Sequence, residues 1–152
     1  MAKYKTIRML IMLAIFISGI TFSITRTCLE QHYSLICTTD HLSTVVENMN
    51  PNQVFVDLRS QEDYEKGHID GFINIPSEQG DEVLEYIMSH KITKKHIYLM
   101  CYSGKRSALA FELLRLSGLR NLTYITIGYE SFAAEKEGFE PQIGPCDCSS
   151  DD

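Results

Sequence analysis

Short apolar runs alternate with amphipathic helical segments along residues 40–137, which predicts an α/β fold: a parallel sheet with helices on both faces. Three observations carry this reading. The runs Val54–Val56, Ile73–Ile75, His96–Met100 and Leu122–Ile127 are short and rich in β-favouring residues. Apolar residues at helical spacing lie between them. The connections between these segments are short.

Taken in order, residues 40–49 put Leu42, Val45, Val46 and Met49 on one helical face, with Thr39 or Asp40 as cap and Pro51 beyond the end. Val54-Phe55-Val56 is a buried strand closed by Asp57. Residues 61–66 are polar and suit a single helical turn. Gly67 and Gly71 bracket a turn at His68-Ile69-Asp70, and Ile73-Asn74-Ile75 is a short strand stopped by Pro76. Residues 81–90 place Val83, Leu84, Ile87 and Met88 on one face. The strand 96–100 leads to a helix over 105–117, which carries Leu109, Leu113, Leu114 and Leu116 and ends at Gly118. After the strand 122–127, Gly128-Tyr129 opens a last helix over about 129–137.

The chain has 152 residues, about one domain. Residues 1–27 hold Lys3, Lys5, Arg8 and Arg26 and no acid, and residues 9–25 are an uncharged apolar run. This pattern predicts an export signal, either cleaved or kept as a membrane anchor, with the following domain outside the cytoplasm. The remaining chain holds 10 basic and 20 acidic residues, a net charge of −10. So acidic a body excludes a nucleic-acid partner, which needs a basic footprint. Any anion it binds must meet locally positive groups. Residues 28–39 read as a linker, 40–137 as the domain and 138–152 as a polar tail.

Five cysteines follow the apolar run: Cys28, Cys37, Cys101, Cys146 and Cys148. Cys28 and Cys37 are close enough in sequence to pair. For Cys146-Asp147-Cys148 a surface disulfide, two idle thiols, a metal clip and a partner thiol for Cys101 all stay open. The chemistry expected of the domain itself needs neither metal nor cofactor.

Cys101 stands apart. It follows an apolar strand, and Cys101-Tyr102-Ser103-Gly104-Lys105-Arg106-Ser107 ends in the start of a helix. Negative charge on a sulfur is favoured at a helix N-terminus. Gly104 lets the backbone turn so that several N–H groups converge on one centre. Lys105 and Arg106 supply the local positive charge that an anionic donor requires, and Ser107 is placed to cap the helix or to donate to the same cradle.

These seven residues resemble the active-site loop of rhodanese-like domains. A second stretch agrees with that family: Asp57-Leu58-Arg59, then Gly67-His68-Ile69 and Asn74-Ile75-Pro76. A third, weaker match is Gly128-Tyr129 with Phe132. The resemblance covers residues 40–137 and is nearest to small, exported, single-domain members. It implies a five-stranded parallel sheet. It also implies a sulfurtransferase in which Cys101 takes sulfane sulfur from a donor such as thiosulfate and passes it to cyanide or a thiol. The loop Tyr102–Ser107 then binds the substrate, with Lys105 and Arg106 at the sulfonate end. Asp57, Arg59 and His68 are structural supports in this reading. Partners are a small sulfur-donor anion and a thiophile, or one thiol-bearing protein in a persulfide relay. A binding module without chemistry is disfavoured because the cysteine is present. A phosphatase loop must wrap a tetrahedral phosphate, and the four residues between Cys101 and Arg106 are too short a span for it.

Overall fold

The computed structural model describes residues 33–145. They form β1 (Tyr33–Ile36), α1 (Thr39–Glu47), β2 (Gln53–Asp57), α2 (Gln61–Lys66), β3 (Phe72–Asn74), α3 (Asp81–Ser89), β4 (His96–Met100), α4 (Lys105–Leu116), β5 (Leu122–Ile125) and α5 (Gly128–Glu135). The five strands make one all-parallel sheet in the order β1-β5-β4-β2-β3. Phe55 aligns with Phe72 on one side and Tyr98 on the other, and Leu99 aligns with Tyr124.

A parallel sheet is covered on both faces, so its central strands are apolar throughout. Ile97 to Met100 are all buried. On one face Phe55, Tyr98, Met100 and Ile125 pack with Leu42 of α1 and Phe132 of α5. Phe55 stacks on Tyr98 at 4.4 Å between ring centres and leans on Phe72 at 5.2 Å. On the other face Leu99 and Ile97 are buried, as are Val83 and Ile87 of α3 and Ala110 and Leu114 of α4, and Phe111 meets the Tyr124 ring at 4.9 Å.

Two expected boundaries are corrected. Residues 33–36 lie within the expected linker, yet they form the sheet's edge strand, and Thr126 N donates to Ile36 O at 2.9 Å. The segment is too short to show strand periodicity. With it, α1 starts at Thr39, and its cap is Thr38, whose hydroxyl accepts from His41 N. At the other end, residues 139–144 belong to the domain. Phe139 sits edge-on to Phe132 at 5.2 Å, Gln142 exchanges backbone bonds with His68, and Gly144 N donates to Glu65 O. Cys28, Cys146, Cys148 and the apolar run 9–25 lie outside the described residues. None of the described helices is long and apolar enough to cross a membrane.

The connection from β2 runs outward to β3, whereas that from β4 runs the opposite way to β5. Such a switch opens a crevice at the carboxyl ends of the two strands. Into it project Leu58-Arg59-Ser60 after β2 and the Cys101 loop after β4, joined where Leu58 N donates to Met100 O at 2.8 Å.

A buried ion pair shapes one wall of the crevice. Asp57 and Arg59 are 0% and 2% exposed. Arg59 Nε donates to both Asp57 carboxylate oxygens at 3.1 and 2.9 Å, and Nη2 to Oδ2 at 2.7 Å. Nη2 also donates to Gly67 O at 2.8 Å and Nη1 to Asp63 O at 3.3 Å. Asn74 Nδ2 bridges the Asp57 and Arg59 carbonyls. Every nitrogen of the guanidinium therefore has an acceptor, as a charge removed from water requires.

Two glycines set the spacing of the loops at the crevice. Gly104 has φ +84° and lies against the Thr126 backbone, while Gly128 has φ +66° and lies against that of Tyr102 and Ser103. A Cβ at Gly128 would overlap the Tyr102 carbonyl, whereas one at Gly118, φ +92°, would meet open space. Gly128→Ala is therefore expected to lose about 2–4 kcal/mol and Gly118→Ala only about 1 kcal/mol, read from chemical denaturation. Asp57→Ala strands a buried guanidinium and is expected to cost about 3–5 kcal/mol. An unchanged denaturation midpoint would refute that role for the pair.

Candidate active site

Cys101 is the first residue beyond β4 and is 1% exposed. Its carbonyl accepts from Tyr129 N at 2.8 Å, and the Tyr102 carbonyl accepts from Glu130 N at 3.2 Å. The start of α5 thus holds the loop from behind. With those carbonyls engaged and Gly104 in the left-handed region at the helix N-cap, the chain rolls into α4 with its amides leading. Among the described residues the N–H groups of Ser103 to Ser107 have no backbone acceptor. They are the orphan donors of a helix start, and they sit in the loop that carries the sulfur.

Ser107, fully buried, brings its Oγ to 3.7 Å from Cys101 Sγ. The hydroxyl also lies 2.9 Å from Gly104 O and 3.2 Å from Ile125 O. Those two oxygens can only accept, so the serine proton is directed at one of them and an oxygen lone pair is left for an S–H donor. When the sulfur is negatively charged, rotation of the hydroxyl turns the same group into a donor. Gly104 is the N-cap of α4 with no side-chain cap, so of the two roles open to Ser107 the hydroxyl takes the one inside the loop.

The loop's other polar residues divide. Lys105 and Ser103 are exposed. Tyr102 is half exposed, and its hydroxyl donates to Glu130 at 3.0 Å. That bond and the Glu130 charge push the phenol's pKa up. Arg106 is tied sideways: Nη1 donates to Leu58 O at 3.1 Å and to the exposed Glu78 at 3.1 Å. Arg106, Ser60, Ser77 and Glu78 line a cleft of about 450 Å³ beside the loop. The sequence pointed to Arg106, but its partners Leu58 and Glu78 carry no local signal, since they are 48 and 28 residues away.

Asp57 and Arg59 stand behind the loop. The Arg59 guanidinium lies 3.7 Å over the Tyr129 ring, and Tyr129 N is bonded to Cys101 O. His68 is elsewhere. Its ring is stacked on Tyr64 at 3.7 Å, and its Nδ1 is 3.0 Å from Tyr64 O, a partnership within its own turn. Tyr64 in turn donates to Phe72 O, and burial, helped by the Asp57 charge, raises its pKa to about 12. Tyr129 is the supporting residue that sequence reasoning undervalued. Its only signal was the Gly-Tyr pair after β5. No group of three metal-ligating side chains occurs among the described residues.

The model of the family described as rhodanese-like domain matches residues 42–135. A tRNA uridine(34) hydroxylase of Sodalis glossinidius is 33% identical over 87 residues, which is 55% of this chain and 24% of that protein. The putative sulfur carrier protein YrkF of Bacillus subtilis is 27% identical over 82 residues, 54% of this chain and 42% of that one. The chain thus spans less than half the length of either relative. A solved rhodanese-like domain protein from Staphylococcus aureus superposes with a TM-score of 0.56 and 25% identity, covering 72% of this chain and 97% of that one. The family match takes in both loops of the crevice, the ion pair behind them and the turn at Gly128; the chain belongs to the rhodanese-like domain family.

Proposed function

We propose that this domain is a sulfurtransferase that carries sulfane sulfur on Cys101. The observation that carries the reading is the loop itself: a buried cysteine sulfur 3.7 Å from Ser107 Oγ, in a turn whose amides lack internal acceptors. Such a cradle stabilises negative charge on sulfur and on a sulfur bound to it.

In the first half-reaction the Cys101 thiolate attacks the sulfane sulfur of a donor such as thiosulfate. The S–S bond of the donor breaks, sulfite leaves with the electron pair, and Cys101 becomes a persulfide. In the second, cyanide or a thiolate attacks the outer sulfur and the Cys101 thiolate is restored. No net oxidation occurs at Cys101. Lys105, exposed at the mouth, draws the anionic donor against the acidic body, while Arg106, half-buried, braces the loop against Leu58 and Glu78 and keeps its remaining nitrogens for the sulfonate. The short loop, and an arginine partly committed to its wall, both weigh against phosphate.

The YrkF relative, named as a sulfur carrier, favours one variant of this reading: a relay in which the acceptor is a thiol of one protein partner. The basic and apolar N-terminal residues support a site of action outside the cytoplasm.

Intact mass after incubation of the reduced protein with thiosulfate is expected to rise by one sulfur atom. The gain is removed by cyanide and absent in Cys101→Ser. No gain with thiosulfate, but a gain from a protein persulfide, would leave the relay alone standing; no gain from either would end the proposal. Lys105→Ala is expected to raise KM for thiosulfate about tenfold with kcat nearly unchanged, because a mouth charge acts on encounter and binding rather than on the chemical step. A matching fall in kcat would instead put Lys105 on the transition state.

A further inference from the structure

The cleft of about 450 Å³ beside the Cys101 loop is larger than an anion seat. Pockets that hold small organic molecules span about 300–1,000 Å³, so a leaving group the size of sulfite would fill little of it. Its charges are also unequal. Three carboxylates, those of Glu78, Asp81 and Glu82, share the wall with the single guanidinium of Arg106. Ser77 Oγ donates to Glu82 and accepts from Gly80 N at 2.7 Å, which fixes the turn that carries Glu78.

Arg106 belongs to both places. It is a residue of the Cys101 loop and part of the cleft wall, so a donor that meets Cys101 at one end and Arg106 at the other has the cleft before its far end. Its guanidinium does not meet that donor unaccompanied. Both N–H groups of Nη1 are engaged, one by Leu58 O and one by Glu78 Oε1, each at 3.1 Å. The Glu78 side chain is 81% exposed and that of Arg106 24% exposed, so a carboxylate reaches in from solvent and sets its charge against the loop's inner cation. A donor that brings a second negative charge to Nε or Nη2 meets Glu78 at close range, and like charges so placed oppose each other. A donor with one charge, on its sulfane sulfur, and an uncharged organic group beyond it escapes that repulsion and gains from burial in the cleft.

We propose that the cleft seats the organic group of a singly charged sulfane anion, and that Glu78 sets the preference for such a donor over thiosulfate. The inference rests on the sulfur chemistry proposed for Cys101 and names the class of donor for it. With an organic thiosulfonate the step balances as it does with thiosulfate. The Cys101 thiolate attacks the sulfane sulfur, the S–S bond of the donor breaks, and a sulfinate leaves with the electron pair. Cyanide then takes the outer sulfur as thiocyanate and restores the thiolate. Solvent screens the exposed Glu78 carboxylate, so the selectivity it confers is several-fold rather than absolute.

The test uses the full reduced chain and follows thiocyanate formation from thiosulfate, methanethiosulfonate and benzenethiosulfonate. Benzenethiosulfonate is expected to show a KM about tenfold below that of methanethiosulfonate, since the two carry the same charge and only the ring fills the cleft. Glu78→Gln keeps an acceptor for Nη1 and removes the charge. It is expected to raise kcat/KM for thiosulfate about fivefold through KM, and that for methanethiosulfonate by about twofold or less, because the latter's single charge is spent at Cys101. Glu78→Asp keeps the charge and with it the preference. Equal KM for the two thiosulfonates, or a Glu78→Gln effect of the same size on thiosulfate and methanethiosulfonate, would overturn the proposal; the second is what a mere brace for the loop gives. Intact mass separates this from failure of the sulfur chemistry. No sulfur gain from any donor ends both, whereas a gain from every donor with an unmoved preference in Glu78→Gln ends this inference alone.

Discussion

A guanidinium removed from water must have its donors answered, and in this domain the answers come from four separate places. Arg59 takes the Asp57 carboxylate at the end of β2, the Asp63 carbonyl of α2, the Gly67 carbonyl of the turn before β3, and the π face of Tyr129 at the start of α5. None of these is adjacent to the cysteine in sequence. Yet Tyr129 is bonded through its amide to the Cys101 carbonyl, so one buried charge sets the position of the backbone behind the sulfur. A hydrophobic replacement could fill the same volume, but it could not hold four backbone segments at fixed angles.

The cradle itself rests on what those anchors leave free. The carbonyls of Cys101 and Tyr102 are spent on α5, and Gly104 turns the chain into α4, so the loop's amides have no neighbour to satisfy them. Unpaired donors are costly in a protein interior. Here they are retained at the carboxyl edge of a parallel sheet, at the crevice where connections diverge, which is where an anionic ligand can answer them. Ser107 fits the same logic, since one hydroxyl serves a protonated or a charged sulfur by rotation.

Much of this was legible in the sequence, for physical reasons. Strands buried on both faces read as apolar runs, and β4 was found to the residue. The helices showed their apolar faces, and the positive-φ glycines at 71, 104, 118 and 128 marked turns. Cys101 with its loop, and the Asp57 and Arg59 that form the buried pair, stand out in the sequence as local motifs. What stayed hidden was non-local. Strand β1 is four residues long and earns its place only by pairing with the far end of the chain. Phe139 to Gly144 look like a polar tail until Phe139 finds Tyr129 and Phe132, and Gln142 finds His68. The sideways commitment of Arg106 to Leu58 and Glu78 depends on loops brought together by the fold.

The contact of Gly104 with Thr126 and of Gly128 with Tyr102 and Ser103 has a consequence for how such a site can change over evolutionary time. The two turns lie backbone against backbone, with no side chain between them to trim or repack. A cradle bounded this way is fixed in circumference by its neighbour. Inserting a single residue to admit a larger tetrahedral anion would drive the loop into the adjoining turn, and through Tyr129 would shift the buried arginine as well. New substrate size therefore cannot be reached here by one insertion in one loop. It demands concerted revision of two turns, a steep path for drift.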